Sequence, residues 1–208
     1  MHDAARGTDE NRRHGGADGN SASRNRTANL LGAAALAVTD LAVTGAAKAA
    51  GVSTSAAAAL VVLTASPGLS VTELGRRIGL SQPAAARMVD SLQSGGLAER
   101  RPGSGRQVSV TATAAGARTA RAVLAARGGP LGEIVDVLGE KERETLDALL
   151  VRLLTRLYGE AGDADLLCRL CDRAGCVRGG AVCPVGRAER EAHRDGQRGG
   201  PPDGHGRG

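Results

Sequence analysis

The stretch that decides the fold is LSVTELGRRIGLSQPAAARMVDSL, residues 69–92, continued by QSGGLAERRPGSGRQVSVTAT, residues 93–113. Ser70 stands three residues ahead of Glu73, the spacing of a capping box. This predicts a helix start at which the hydroxyl accepts from the Glu73 amide and the carboxylate returns a bond. Val71, Leu74 and Ile78 then share one side of a short helix, and Gly79-Leu80 makes a turn. Ser81 is the expected cap of a second helix, with Ala85, Met88, Val89 and Leu92 at helical spacing and Gln82, Ala86, Arg87 and Asp90 facing outward. Gly95-Gly96 ends that helix. Leu97–Arg101 reads as a strand, Pro102–Gly105 as a turn, and Gln107–Thr113 as the returning strand, with Val108, Val110 and Ala112 on one face. A second helix with small or hydrogen-bonding outward residues suits a major groove about 12 Å wide, because bulky apolar groups would hold it off the base edges. A helical bundle would have no use for the hairpin.

These residues resemble the MarR family of transcriptional regulators. The run 69–92 and the following GLAERR (residues 96–101) resemble that family's helix pair and first wing strand, and Thr113-Ala-Ala-Gly116 resembles its post-wing helix start. The resemblance implies a winged helix-turn-helix acting as a dimer on double-stranded DNA, with a small phenolic or lipophilic effector between its helical and winged parts. In one respect the chain departs from the family pattern. An acidic residue usually stands two positions before the wing-tip arginine, where this chain has Ser104 ahead of Arg106, leaving Asp90 or Glu99 to orient the wing. The expected DNA contacts are Gln82, Pro83, Ala86 and Arg87 toward bases and Arg106 at the minor groove. Arg76, Arg77, Arg100 and Arg101 are expected near phosphates.

Charge favours the same region. Residues 66–112 hold six arginines against Glu73, Asp90 and Glu99, while residues 1–26 and 184–208 each carry five arginines and four acids. The overall +5 is therefore concentrated at the helix pair and hairpin rather than in a polycationic tail. Tyr158 is the single aromatic residue, with no Phe or Trp. Base stacking on aromatic platforms, the usual route to single-stranded RNA or DNA, is thereby disfavoured.

The remaining pattern predicts a mainly α chain (an α+β winged helix) with flanking dimerisation helices and a small Cys-rich C-terminal segment. Residues 1–26 and 185–208 are expected to be solvated tails, because neither buries enough apolar surface to offset ordering. Residues 27–160 form the expected domain, with the winged module at 66–113 and dimerisation helices at about 27–50 and 139–160. Leu146, Leu149, Leu150, Leu153, Leu154 and Leu157 recur at spacings of three and four and make a narrow seam suited to a second copy. A helix from Thr113 is expected to stop at Arg127, ahead of Gly128-Gly129-Pro130. The first ten residues hold acids and no apolar run, and the charge-free stretch 49–72 is broken by Gly and Pro. The expected location is the cytoplasm, without a membrane partner.

Cys168, Cys171, Cys176 and Cys183 lie within residues 164–184 and are the only cysteines. Four thiols at Cys-x2-Cys-x4-Cys-x6-Cys fit a tetrahedral Zn2+, an iron–sulfur cluster, or redox-active thiols in which Cys168 and Cys171 pair. These alternatives stay open at the level of sequence. The competing class is a metal or thiol-redox protein built on that CxxC. No βαβ pattern precedes Cys168, and no GxSxG or HExxH occurs, so the chain is not expected to be an enzyme.

Overall fold

The computed structural model describes residues 10–102 and 108–198. A long α1 (Glu10–Thr39) passes through a π-helical stretch, Asp40–Gly45, into α2 (Ala46–Ala49). α3 (Thr54–Ala65) follows, its N-terminus capped by Ser53 Oγ accepting from the Ala56 amide at 3.2 Å. Nearly all of α3 is apolar and Ala56–Val61 and Leu63 are buried, as expected of a helix surrounded on all sides. It runs through the centre of the domain, packed by α4, α5, α6 and the sheet.

The winged module has the expected order. α4 (Val71–Ile78) and α5 (Gln82–Ser94) are joined at Gly79, whose φ of 73° lies in the left-handed region that glycine adopts without strain. β2 (Ala98–Pro102) and β3 (Val108–Ala112) form the hairpin, in register Ala98 with Ala112 and Arg100 with Val110. A short β1 (Leu69–Ser70), which the sequence pattern did not reveal, pairs antiparallel with β3 and completes a sheet of order β1-β3-β2. Leu74, Ala85, Met88, Val89, Leu92 and Val110 are buried, so the core faces of both helices are those their spacing predicts. Val108, opposite Pro102 at the end of the hairpin away from Ala98, is exposed instead.

α6 (Ala114–Val135) starts where Thr113 Oγ1 accepts from the Gly116 amide, while the same hydroxyl donates to the Gly96 carbonyl at 2.7 Å. The predicted stop at Arg127 does not occur, and the helix continues through Pro130. A proline removes one helical donor and crowds the residue before it. That residue is Gly129, which has no Cβ to clash and keeps helical backbone open to it. α7 (Glu140–Ala161) begins with the Gly139 amide donating to Glu142 Oε2 at 2.8 Å. The C-terminal part is α8 (Ala164–Leu167), α9 (Arg173–Cys176), a 3-10 turn at Arg178–Gly180 and α10 (Pro184–Arg198).

Both expected tails contain helix. Residues 10–26 continue α1, which is possible because a helix satisfies its backbone locally. Residues 20–41 are exposed, so among the described side chains this stretch of helix is not covered by the rest of the domain. Residues 185–198 differ more. α10 lies on α7 and buries Pro184, Val185 and Ala188, spaced at one helical face, a pattern too short and too dilute in glycine and arginine to stand out. Residues 20–49 are also long and apolar enough to cross a membrane by length and composition. The end of that stretch, Ala42, Ala46 and Ala47, is buried in the domain beside α6.

Candidate nucleic-acid interface

α5 presents the outward residues that its sequence spacing predicts. Gln82, Pro83 and Arg87 are exposed and Ala86 is half-buried, with no carboxylate paired to Arg87 among the described residues. Ser81 takes the N-cap backbone conformation, but its side chain makes no capping bond. Pro83 in the first turn lacks an amide, so one fewer donor needs capping. The helix pair is set close. A Cβ on Gly75 would stand 2.8 Å from Ala85 Cβ, so a glycine on α4 and an alanine on α5 fix their crossing. At the other end a Cβ on Gly116 would overlap the Leu97 carbonyl oxygen, pinning α6 against the start of the hairpin.

The cations beside α5 are held. Arg100 donates to Asp90 Oδ1 and to Gln93 Oε1, each at 2.6 Å, which locks the first hairpin strand to the exposed side of α5. Arg101 pairs with Glu99 on the same strand at 2.5 Å. Asp90 and Glu99 are thus the acidic groups that meet hairpin arginines. Arg106 and the Gly103-Ser104-Gly105 turn lie outside the described residues.

Arg76 and Arg77, expected near phosphates, sit in an ion-pair network with the C-terminal segment. Arg76 donates to Glu73, to Asp163 Oδ2 at 2.7 Å and to Asp165 Oδ2 at 2.7 Å. Arg77 donates to Glu73 Oε1 at 2.8 Å and to Ser66 Oγ, with Asp165 at 3.5 Å. Ser70 Oγ accepts from the Glu73 amide as the capping box requires, but the Glu73 carboxylate is engaged by the two arginines. Hydrogen bonds from Arg76 and then Arg77 hold that carboxyl at about 2, and the bonds Arg76 gives to Glu73 and then Asp165 raise the guanidinium in turn. No local pattern signals this network, because Asp163 and Asp165 stand 87 and 89 positions from Arg76. α8 is seated there by Leu166, whose Cδ1 reaches the turn at Gly79.

The comparisons with known proteins place this geometry. Residues 50–107 match the model of the MarR family. The fold is the MarR-type winged helix. The YusO protein from Bacillus subtilis superposes with a TM-score of 0.57 at 20% identity over 64% of this chain and 95% of that one. MepR, a transcription regulator of the Staphylococcus aureus multidrug efflux pump MepA, gives a TM-score of 0.56 at 18% identity over 62% and 97%. MarR from E. coli gives 0.52 at 23% over 61% and 96%. No curated protein matches the chain. The MarR-type part thus uses about two thirds of the chain.

The four cysteines are free and gather at one place. All four line a cavity of about 120 Å³ between the C-terminal segment and Val61, Val62 and Ala65 of α3, with Arg77 and Asp165 at its wall. The neighbouring Cys168 thiol lowers Cys171 to about 6, with Arg127 adding attraction, while Cys168 is raised by Cys171 and by burial. Burial and the charges of Cys171 and Cys183 push Cys176 up to about 11. Among the described residues no three Cys, His, Asp or Glu side chains already stand at metal-ligand spacing.

Proposed function

We propose that the chain is a sequence-specific regulator, of the repressor type, that binds double-stranded DNA as a dimer and does no catalysis. The observation that carries this reading is the exposed first half of α5. Gln82, Pro83 and Arg87 project beside a hairpin whose Arg100 is tied back to Asp90, in a fold shared with MepR, a mutant of which has been solved bound to an oligodeoxyribonucleotide. A helix presenting a polar face with an arginine free of carboxylates reads base edges, and the hairpin reaches the adjacent backbone and minor groove through Arg100, Arg101 and Arg106.

Dimerisation follows from apolar surface left without a partner. Leu149, Leu150, Leu153 and Leu157 of α7 are between 40% and 50% exposed, and Leu30, Leu31 and Leu36 of α1 are at least half exposed. Pairing α1 and α7 of two copies covers these faces and sets two α5 helices on one face of a duplex, so that the operator is a rough palindrome. A DNA-bound regulator of this kind works in the cytoplasm. Its effector, a small lipophilic or phenolic molecule, would lie between the helical and winged parts.

The reading is tested by selecting bound duplexes from a random library and measuring binding of Arg87→Ala to the selected site. The expected cost is about 1–3 kcal/mol, with discrimination relaxed at one base pair. Failure to enrich any duplex at low salt refutes the proposed function. A loss spread evenly over all sequences makes Arg87 a phosphate contact.

A further inference from the structure

The C-terminal segment has an unusual construction. Between residues 168 and 183 only Leu170 is buried, residues 172–182 are all exposed, and the segment has just one four-residue helix and one 3-10 turn of its own. A stretch of that length fixed by one apolar side chain does not bury enough surface to offset its ordering, and small folds in that position are held by cross-links or metals. What converges here instead of a core is sulfur. Four thiols from three separate turns line one cavity.

We propose that Cys168, Cys171, Cys176 and Cys183 form a tetrathiolate site for one zinc-class ion, and that this ion staples the C-terminal segment onto α3 and α4 of the winged module. The ion replaces four thiol protons, which pass to solvent, and the resulting group carries two negative charges. Arg77 and Arg173 line the same cavity, and Arg127 flanks the thiols from the α6 side, so cations are in place to offset that charge. The spacing Cys-x2-Cys-x4-Cys-x6-Cys follows neither ferredoxin pattern, so a single ion is the simpler occupant. Around zinc, with Zn–S about 2.3 Å, the sulfurs stand roughly 3.8 Å apart, close to mutual contact. The four thiols line one cavity, but among the described residues no three of them stand at ligand spacing, so binding an ion requires the cage to close around it.

The stapling follows from chain geometry. Asp163 and Asp165, which hold Arg76 and Arg77, lie within five residues of Cys168, and Leu166 between them and Cys168 touches the α4–α5 turn. Fixing the cysteines therefore fixes the acidic clasp on α4.

The test uses the full chain, reduced and freed of metal under anaerobic conditions. Titration with Co2+ is expected to give the intense visible bands and sulfur charge-transfer absorption of tetrahedral thiolate coordination, saturating at one ion per chain and lost on adding one equivalent of Zn2+. Cys176→Ser, at an exposed position that packing does not depend on, is expected to weaken Co2+ binding at least tenfold while the far-UV spectrum stays unchanged. Cys183→Ser repeats the measurement from another turn. Zn2+ is further expected to slow amide exchange at residues 163–183 and at α4 in the native chain and not in Cys176→Ser. Weak octahedral Co2+ spectra, stoichiometric iron with sulfide in anaerobically purified protein, or exchange unchanged by zinc each overturns the proposal. None of these readouts involves DNA, so the outcome is separable from that of the operator experiment.

Discussion

Replacing Asp163 and Asp165 together by asparagine tests whether Arg76 and Arg77 face the DNA backbone. In the native chain Glu73, Asp163 and Asp165 bring three negative charges to two arginines, a local net of −1. The double substitution removes two negative charges and leaves +1. The side-chain amide oxygen introduced by Asp163→Asn can still accept the Leu166 amide bond that Asp163 accepts at 3.0 Å, so the start of α8 is preserved. If the freed arginines meet phosphates, each releases about 0.9 counterion, and the slope of log K against log salt steepens. Glu73 still holds part of this charge, so the change lies between about 0.9 and 1.8 per protomer, and twice that for a dimer on one operator. Fluorescence anisotropy with the selected operator, titrated from low salt upward, reads it directly. The variant is expected to bind more tightly at low salt and to lose its advantage as salt rises. An unchanged slope, with binding otherwise intact, would refute a phosphate role for Arg76 and Arg77 and leave them as a structural clasp.

Gly116→Ala forces a Cβ into the Leu97 carbonyl oxygen, which is backbone and cannot swing aside. Urea unfolding is expected to show a loss of about 1–3 kcal/mol, at the upper end of that range, and an unchanged midpoint would mean that α6 moves freely against the hairpin. The Glu73 carboxyl, lowered from 4.5 to about 2, stabilises the folded chain fully above pH 5 and progressively less as pH falls toward 2. Its side chain is 35% exposed, so solvent screening brings the effect to about 1 kcal/mol or less. Glu73→Gln is expected to flatten stability against pH in that window, as read by thermal melts at constant ionic strength. Leu153→Glu with Leu157→Glu places charges on the exposed seam of α7 and is expected to yield monomers by sedimentation equilibrium with the winged module still folded. A dimer that survives both substitutions would put the interface elsewhere.

Local chemistry determined much of this protein from sequence alone. Ser70 and Thr113 were legible as helix caps because a cap depends on residues three positions apart. The buried faces of α4 and α5 followed from the 3.6-residue period, and the hairpin followed from its glycines and alternating valines. Context decided the rest. Pro130 lies inside a helix because the residue before it is glycine, and α10 folds because α7 gives Val185 and Ala188 a surface to cover. β1 exists only through its pairing with β3. The largest surprise lay in Arg76 and Arg77, whose sequence marks them as cations for a phosphate backbone and whose fold gives them to Asp163 and Asp165. Charge is written in the chain one residue at a time, but which charges meet depends on how segments far apart in sequence are brought together. The four cysteines lie between these extremes. Their spacing declares a common purpose, while the cavity against α3 and α4 determines what that purpose can act on.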